Sequence, residues 1–216
     1  MSEVLTALAA DRVLPVVVVS DVDRAEPLAD ALLAGGLHCA EVTFRTEAAQ
    51  AAIRVLAARS ELLVGAGTVL TVEQVDRAVD AGARFVVSPG YGPAVVRRCQ
   101  ERGVPVYPGV ATATEVQMAL DAGLDTVKFF PAEQLGGAGM VKALAAPFRS
   151  VRFIPTGGVT ATNLAGYLAV PAVLAVGASW MVAAELLAAG DWAEVTRRCQ
   201  AVVEVARVGA SVGGGR

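Results

Sequence analysis

Histidine occurs once in the 216 residues, at His38, and cysteine three times, at Cys39, Cys99 and Cys199. One histidine at the start of a strand, with no partner motif, reads as a boundary residue and not as a base or ligand. No C-x-x-C or H-E-x-x-H occurs, which removes the usual structural and catalytic zinc patterns. Three cysteines far apart and odd in number do not make a disulfide framework, and they suit a reducing cytoplasm. Basic blocks are also missing and the formal net charge is −3. That argues against a nucleic-acid partner and an anionic membrane surface. A long unbroken apolar run is absent too. No charged residue falls from Phe153 to Ala184, but Pro155, Gly157, Gly158, Asn163, Pro171 and Gly177 interrupt the stretch. A spanning helix needs about 20 continuous apolar residues. Buried parallel strands, covered on both faces, account for this hydrophobicity better. The opening "MSEVLTALAADRV" has no basic leader and reads as a short helix, not a signal peptide.

What is present is a large apolar content, 55% of residues, enough for one sizeable core. Short β-branched runs alternate with longer Ala/Leu-rich segments. The spacing predicts strands at 13–19, 39–44, 62–67, 84–88, 104–108, 126–130, 151–155 and 172–176. It predicts helices at 22–34, 47–59, 71–81, 91–102, 112–122, 137–145, 160–168, 180–189 and 192–207. Thr71 with Gln74, and Thr112 with Glu115, are capping-box patterns. "AGG", "DAGA", "ERGV" and "DAGL" put glycine just past helix ends. Eight strand–helix units in this length predict an α/β fold: a single-domain (β/α)8 TIM barrel over 1–216 with an N-terminal helix. The rival is a doubly wound open sheet, which usually carries a glycine-rich dinucleotide fingerprint after its first strand. Here that strand runs into "SDVDRAEP", with no such fingerprint. The end "GASVGGGR" reads as a flexible tail over 210–216.

Strand side chains alternate between faces. In "AEVTFR", Glu41, Thr43 and Arg45 share a face opposite Ala40, Val42 and Phe44. In "TVKFF", Thr126, Lys128 and Phe130 share a face opposite Val127 and Phe129. In the third strand Ala66 and Thr68 share one. A barrel then sends Glu41, Arg45, Thr68 and Lys128 inward near the carboxyl ends of their strands, where barrel enzymes do chemistry. Taken alone, a strand lysine can be an edge residue with its head in water. Glu41 and Lys128 can be a purely structural ion pair. Together, several polar chains converging inside an apolar barrel are costly unless they act.

A lysine in a poorly solvated pocket beside another cation is favoured as the neutral amine. That amine attacks a ketone to form a Schiff base, and the iminium lets a neighbouring C–C bond break without a metal or cofactor. Glu41 is a suitable proton shuttle, and Arg45 a suitable fork for a carboxylate. The seventh strand ends "PTGGVTATN" and the eighth ends "VGASW". Backbone N–H groups of Gly157 and Gly158, with Ser179 opening a helix, make a candidate cradle for phosphate, which barrels often hold between these two loops.

The motifs "EVTFRTE", "GAGTVL", "SPG", "VKFFPAE", "PTGGV" and "GASW" occur in this order. In this the chain resembles the 2-keto-3-deoxy-6-phosphogluconate (KDPG) aldolase family, class I aldolases that include enzymes acting on 4-hydroxy-2-oxoglutarate. The resemblance runs from about Val13 to Asp191. It implies a cytoplasmic, homotrimeric lyase without cofactor, releasing pyruvate and glyceraldehyde 3-phosphate from a phosphorylated sugar acid. It implies Lys128 as the Schiff-base lysine and Glu41 as general acid/base. Arg45, Thr68, Pro89 and Phe130 would line the pyruvyl site, Thr156 would lie near the sugar chain, and Gly157, Gly158, Gly177 and Ser179 would hold phosphate. Related phosphogalactonate aldolases typically read "EIPLNS" where this chain has "EVTFRT", so Arg45 favours the gluconate branch. Ala178 stands where the family often has glycine, and "SD" at 20–21 replaces a basic pair of some members. Alternative readings are a 4-hydroxy-2-oxoglutarate or 6-phosphogalactonate-type aldolase. More distant ones are a metal-free sugar-phosphate isomerase or decarboxylase, and a non-catalytic binder on the same barrel.

Overall fold

A computed structural model describes residues 3–213. Nine short parallel strands carry the fold: β1 (Val13–Val17), β2 (Cys39–Thr43), β3 (Leu63–Gly67), β4 (Phe85–Val87), β5 (Val106–Tyr107), β6 (Gly109–Val110), β7 (Thr126–Phe129), β8 (Arg152–Pro155) and β9 (Val176–Ala178). They pair in the orders β5-β4-β3-β2-β1-β9 and β6-β7-β8. The fifth predicted strand is split at Pro108, which has no N–H to give to a ladder. Its halves still act as one stave: β5 pairs with β4, and β6 with β7. Single bridges, Phe153 to Val173 and Thr156 to Gly177, join β8 to the β9 segment. The pairings thus run round the eight staves of a (β/α)8 barrel.

The helices lie outside: α2 (Ala25–Ala34), α3 (Ala49–Ala57), α4 (Val72–Asp80), α5 (Pro93–Glu101), α6 (Ala113–Asp121), α7 (Gly137–Ala145), α8 (Leu164–Leu168), α9 (Ala184–Ala189) and α10 (Trp192–Gly213). Their start signals are visible in hydrogen bonds. Thr112 accepts from the Glu115 N–H while Glu115 accepts from the Thr112 N–H, a complete capping box for α6. At α4 the reciprocal bond shifts by one residue, because Gln74 accepts from Leu70 N–H. Gly36, Gly82, Gly103 and Gly123 all take positive φ after helices, as their placement predicts.

The apolar core has two parts. Val13, Val42, Ala66, Val127 and Phe129 point outward into the helices. Leu14, Cys39, Phe85, Tyr107, Ile154 and Leu174 fill the barrel interior, with Val4 and Leu8 of α1 (Glu3–Asp11) packed against them. Gly65 makes room for this filling, since a Cβ there would meet the Phe85 ring at 2.2 Å. Each such buried side chain is worth about 1.5–3 kcal/mol. The interior is therefore closed on the α1 side and open at the carboxyl ends of the strands.

Four expectations need correction. The eighth strand pairs at Val176–Ala178, not over 172–176, because the chain makes only one bridge at Val173 before it reaches β1. The helix expected at 160–168 is helical only over Leu164–Leu168, because the Asn163 side chain turns back to accept from Thr160 N–H. Ser179 opens a three-residue 3₁₀ turn, Trp180–Val182, ahead of α9, and not a helix. The tail expected from 210 is helical to Gly213 as part of α10; residues 214–216 lie outside the described residues.

Candidate active site

The ammonium of Lys128 and the carboxylate of Glu41 meet where β7 and β2 face one another across the barrel. Lys128 Nζ lies 3.3 Å from Glu41 Oε1, with the two side chains 6% and 1% exposed. Alternation places them there. Val127 and Phe129 bury themselves against the helices, so Lys128 points inward. Glu41 is paired in register with Gly65 of β3, and Val42 with Ala66. A Cβ on Gly67 would stand 2.2 Å from Glu41 Oε1, so the carboxylate occupies the volume that Gly67 leaves free. Glu41 Oε2 is buried and has no partner. A carboxylate oxygen without a donor is costly, and Glu41 is one of the residues that line the open cleft.

That cleft, about 680 Å³, opens above the pair. Every residue singled out in the sequence lines it: Glu41, Arg45, Thr68, Pro89, Lys128, Phe130, Thr156, Gly157, Gly158, Gly177 and Ser179. Lys128 Nζ also lies 5.2 Å from the centroid of the Phe130 ring. Arg45 follows the end of β2, its N–H bonded to Thr43 O at 2.8 Å, and its side chain is exposed at the cleft wall. No ion pair engages Arg45 among the described residues, which leaves its fork for a carboxylate.

Thr68 reaches the cleft by a different route from the one alternation predicts. The inward residues of β3 are Gly65 and Gly67, and Ala66 faces the helices. Thr68 enters because its φ is +56°, a left-handed conformation that breaks the alternation. A β-branched residue there is strained, and such strain concentrates at functional positions.

Also lining the cleft, Gly157 and Gly158 have φ of +101° and +76°. The N–H groups of Gly157, Gly158 and Val159 make no hydrogen bond within the described chain. Thr156 O, Gly157 O and Gly158 O accept from Ala132, Glu133 and Asn163 respectively. Since C=O and N–H point opposite ways across a trans peptide, the three N–H groups are turned away from those donors. A nest of consecutive free N–H groups of this kind can bind an anion. Ser179 makes no capping bond with its side chain. Gly177 gives Thr156 its seat, because a Cβ there would lie 2.2 Å from Thr156 Oγ1. Ala178 lines the cleft as well.

Sequence reasoning left some cleft residues without a role. Thr43 is buried and donates to Val17 O at 3.0 Å. Its place on the Glu41 face was the available signal. Trp180 belongs to the quoted "GASW", and its indole Nε1 is buried without a partner. Glu185 at the rim had no signal in the sequence. The three cysteines are buried and free. Desolvation pushes Cys99 and Cys199 up to about 12, and with help from Asp11 raises Cys39 well above its ordinary value. None is a reactive thiol. His38 sits outside the cleft beside Asp11, at 3.4 Å. Among the described residues no group of three or more His, Cys, Asp or Glu is placed to hold a metal, and no helix is long and apolar enough to cross a membrane.

The profile of the family described as "Aldolase: KDPG and KHG aldolase" matches residues 4–198. The 2-dehydro-3-deoxy-phosphogluconate aldolase of Treponema pallidum (strain Nichols) is 52% identical over 209 residues, 96% of this chain and 100% of the relative. The KHG/KDPG aldolase of Escherichia coli (strain K12) is 44% identical over 197 residues, 91% of this chain and 92% of the relative. Among solved structures, KDPG aldolase from Legionella pneumophila, with pyruvate captured as a covalent carbinolamine intermediate, superposes with a TM-score of 0.90. It is 41% identical, with 93% of this chain and 98% of that one covered.

Proposed function

The chain belongs to the KDPG and KHG aldolase family, and from that premise we propose how its cleft carries the reaction. The activity is that of a class I lyase, which cleaves KDPG to pyruvate and glyceraldehyde 3-phosphate. The observation that supports the assignment is the buried Lys128–Glu41 pair in a cleft that Arg45 and the Gly157–Gly158 turn also line.

Lys128 gives its proton to Glu41 and attacks the C2 ketone. The carbinolamine loses its oxygen as water, with a proton supplied by Glu41, and leaves an iminium. Arg45, Thr68 and Pro89 hold the carboxylate end, and Phe130 covers the iminium. Glu41 then takes the C4 hydroxyl proton. The C3–C4 bond breaks, its electron pair enters the enamine, and the aldehyde leaves. Protonation at C3 and addition of water release pyruvate and return the amine. The phosphate is held by the N–H groups of Gly157, Gly158 and Val159 and by Ser179, beside Gly177. Binding energy at that remote end positions the reacting carbons.

One observation favours a second substrate. Among the described residues the cationic side chains lining the cleft are Lys128 and Arg45, both given other roles above, so neither is left for the phosphate. 4-Hydroxy-2-oxoglutarate carries no phosphate and ends in a carboxylate at C5, so it gives up little by not reaching the nest. Pyruvate release from both substrates separates the readings. We expect the higher kcat/KM on KDPG, and expect Ser179→Asp to depress it far more than that on 4-hydroxy-2-oxoglutarate. A charge-assisted hydrogen bond is worth about 1.5–3 kcal/mol, and the new carboxylate also repels a dianion. Equal losses would remove the phosphate from this turn. We further propose a cytoplasmic homotrimer, supported by the family resemblance and, for the compartment, by three buried free thiols. Light scattering at three times the 22.1 kDa chain mass is the expected result.

A further inference from the structure

Glu133 ends the "VKFFPAE" stretch, yet nothing in the chemistry above uses it. It stands in the turn after β7, the strand of Lys128, and faces the phosphate loop after β8. Its N–H donates to Gly157 O at 3.0 Å, next to the Ala132 N–H to Thr156 O bond at 2.8 Å. Its carboxylate Oε2 accepts from Tyr167 Oη at 2.7 Å and from Asn163 Nδ2 at 3.0 Å. Asn163 Nδ2 donates as well to Gly158 O at 3.1 Å, and Asn163 Oδ1 accepts from Thr160 N–H at 2.8 Å. The Tyr167 side chain is rooted in the core at 1% exposure. Burial, then its bond to Glu133, raises its phenol above the ordinary range, so it stays a donor. Gly158 lies flat on Glu133: a Cβ there would stand 2.5 Å from Glu133 Cβ.

We propose that Glu133, acting with Asn163, is a positioning residue for phosphate recognition: it holds the carbonyls of Gly157 and Gly158 so that the three consecutive N–H groups of Gly157, Gly158 and Val159 face the cleft. This rests on reading that turn as the phosphate subsite. The reasoning is directional. Each carbonyl captured by the brace fixes the N–H on the other side of the same peptide plane. Without Glu133, Asn163 loses the acceptor that orients its amide, Gly158 O loses its donor, and two glycines with free φ rotation let the nest relax. Preorganised donors act strongly because they need no reorganisation when the anion arrives. The brace also ties the phosphate loop to the strand that carries the lysine.

The test compares Glu133→Ala, Glu133→Gln and Asn163→Ala on KDPG, on 4-hydroxy-2-oxoglutarate, and with inorganic phosphate as a competitive inhibitor. Glu133→Ala and Asn163→Ala are expected to lower kcat/KM on KDPG by about tenfold or more, chiefly through KM, and to weaken phosphate inhibition in parallel. Both should leave kcat/KM on 4-hydroxy-2-oxoglutarate, and the rate at which borohydride traps pyruvate, within about threefold. Glu133→Gln keeps an oxygen that accepts from Tyr167 and Asn163, so it is expected to behave like the wild type. Equal losses on both substrates, or a Glu133→Gln as impaired as Glu133→Ala, would overturn the proposal. Asn163→Ala, at a half-buried position, decides the question if Glu133→Ala does not fold. Ser179→Asp separates the two levels. If it is selective for KDPG and the brace variants are not, the brace falls and the phosphate site stands; if none is selective, both fall.

Discussion

Replacing Glu41 with Gln changes one atom of a side chain that is 1% exposed, and it removes the proton carrier beside Lys128 Nζ. The amide has the same length, so it fills the space beside Gly67 without the strain a longer residue would bring. It still offers an oxygen to the amine at the 3.3 Å position. It cannot accept the Lys128 proton, deliver one to the leaving carbinolamine oxygen, or take the C4 hydroxyl proton. General acid–base groups contribute about 10²–10⁴-fold. At about 1.36 kcal/mol per tenfold this raises the barrier by roughly 2.7–5.4 kcal/mol. Three proton transfers share the group, so the loss belongs at the upper part of that range. The assay is pyruvate release from KDPG coupled to lactate dehydrogenase, with KM read from the same curves. KM is expected to stay within about threefold, since Glu41 grips neither the carboxylate nor the phosphate. A variant with kcat within about threefold of wild type would refute the proton-shuttle role.

Two further outcomes follow from contacts in the fold. Gly67→Ala drives a methyl to within 2.2 Å of Glu41 Oε1 and pushes the carboxylate off Lys128. It is expected to cost about tenfold or more in kcat, and adding Glu41→Asp, whose shorter chain withdraws, should recover part of that loss; strictly additive losses would contradict the steric explanation. Glu194 in α10 is held at about 2 by hydrogen bonds from Arg197 and then Arg198. Its folded value is depressed, so its stabilising share is present above the ordinary carboxylate range and is lost as pH falls towards about 2. Urea midpoints at about pH 5 and about pH 3 should fall less in Glu194→Gln than in the wild type; an identical fall would remove this linkage.

The parts of the fold that were legible are those where local chemistry decides. Thr112 with Glu115 starts a helix because two side chains satisfy two exposed N–H groups, and both partners are visible in the sequence. Lys128 was legible because its neighbours Val127 and Phe129 must face the helices. The phase of β3 was not. Val64, Gly65, Ala66 and Gly67 are all small or apolar, so no side chain marks the inward face, and the left-handed turn at Thr68 cancelled the error for that residue. The expected fifth strand ended at Pro108, and nothing local marked that the chain resumes pairing with the opposite neighbour at Gly109. The short α8 depends on Asn163 reaching Thr160 and Glu133, and the latter contact joins residues 30 apart. Nothing local in the sequence marks out Glu133. Its contacts depend on what the next strand brings against it.

Covalent chemistry at Lys128 underlies every step proposed for the cleft, and trapping with a reductant reads it without intermediaries. The protein is incubated with pyruvate and borohydride, and its intact mass and peptide map are read. One reduced pyruvyl adduct per chain is expected, located on the peptide containing Lys128. No adduct is expected in Lys128→Met, a variant with matching bulk and no amine. An adduct on another lysine, or full aldolase activity with Lys128 unmodified, would contradict the Schiff-base assignment.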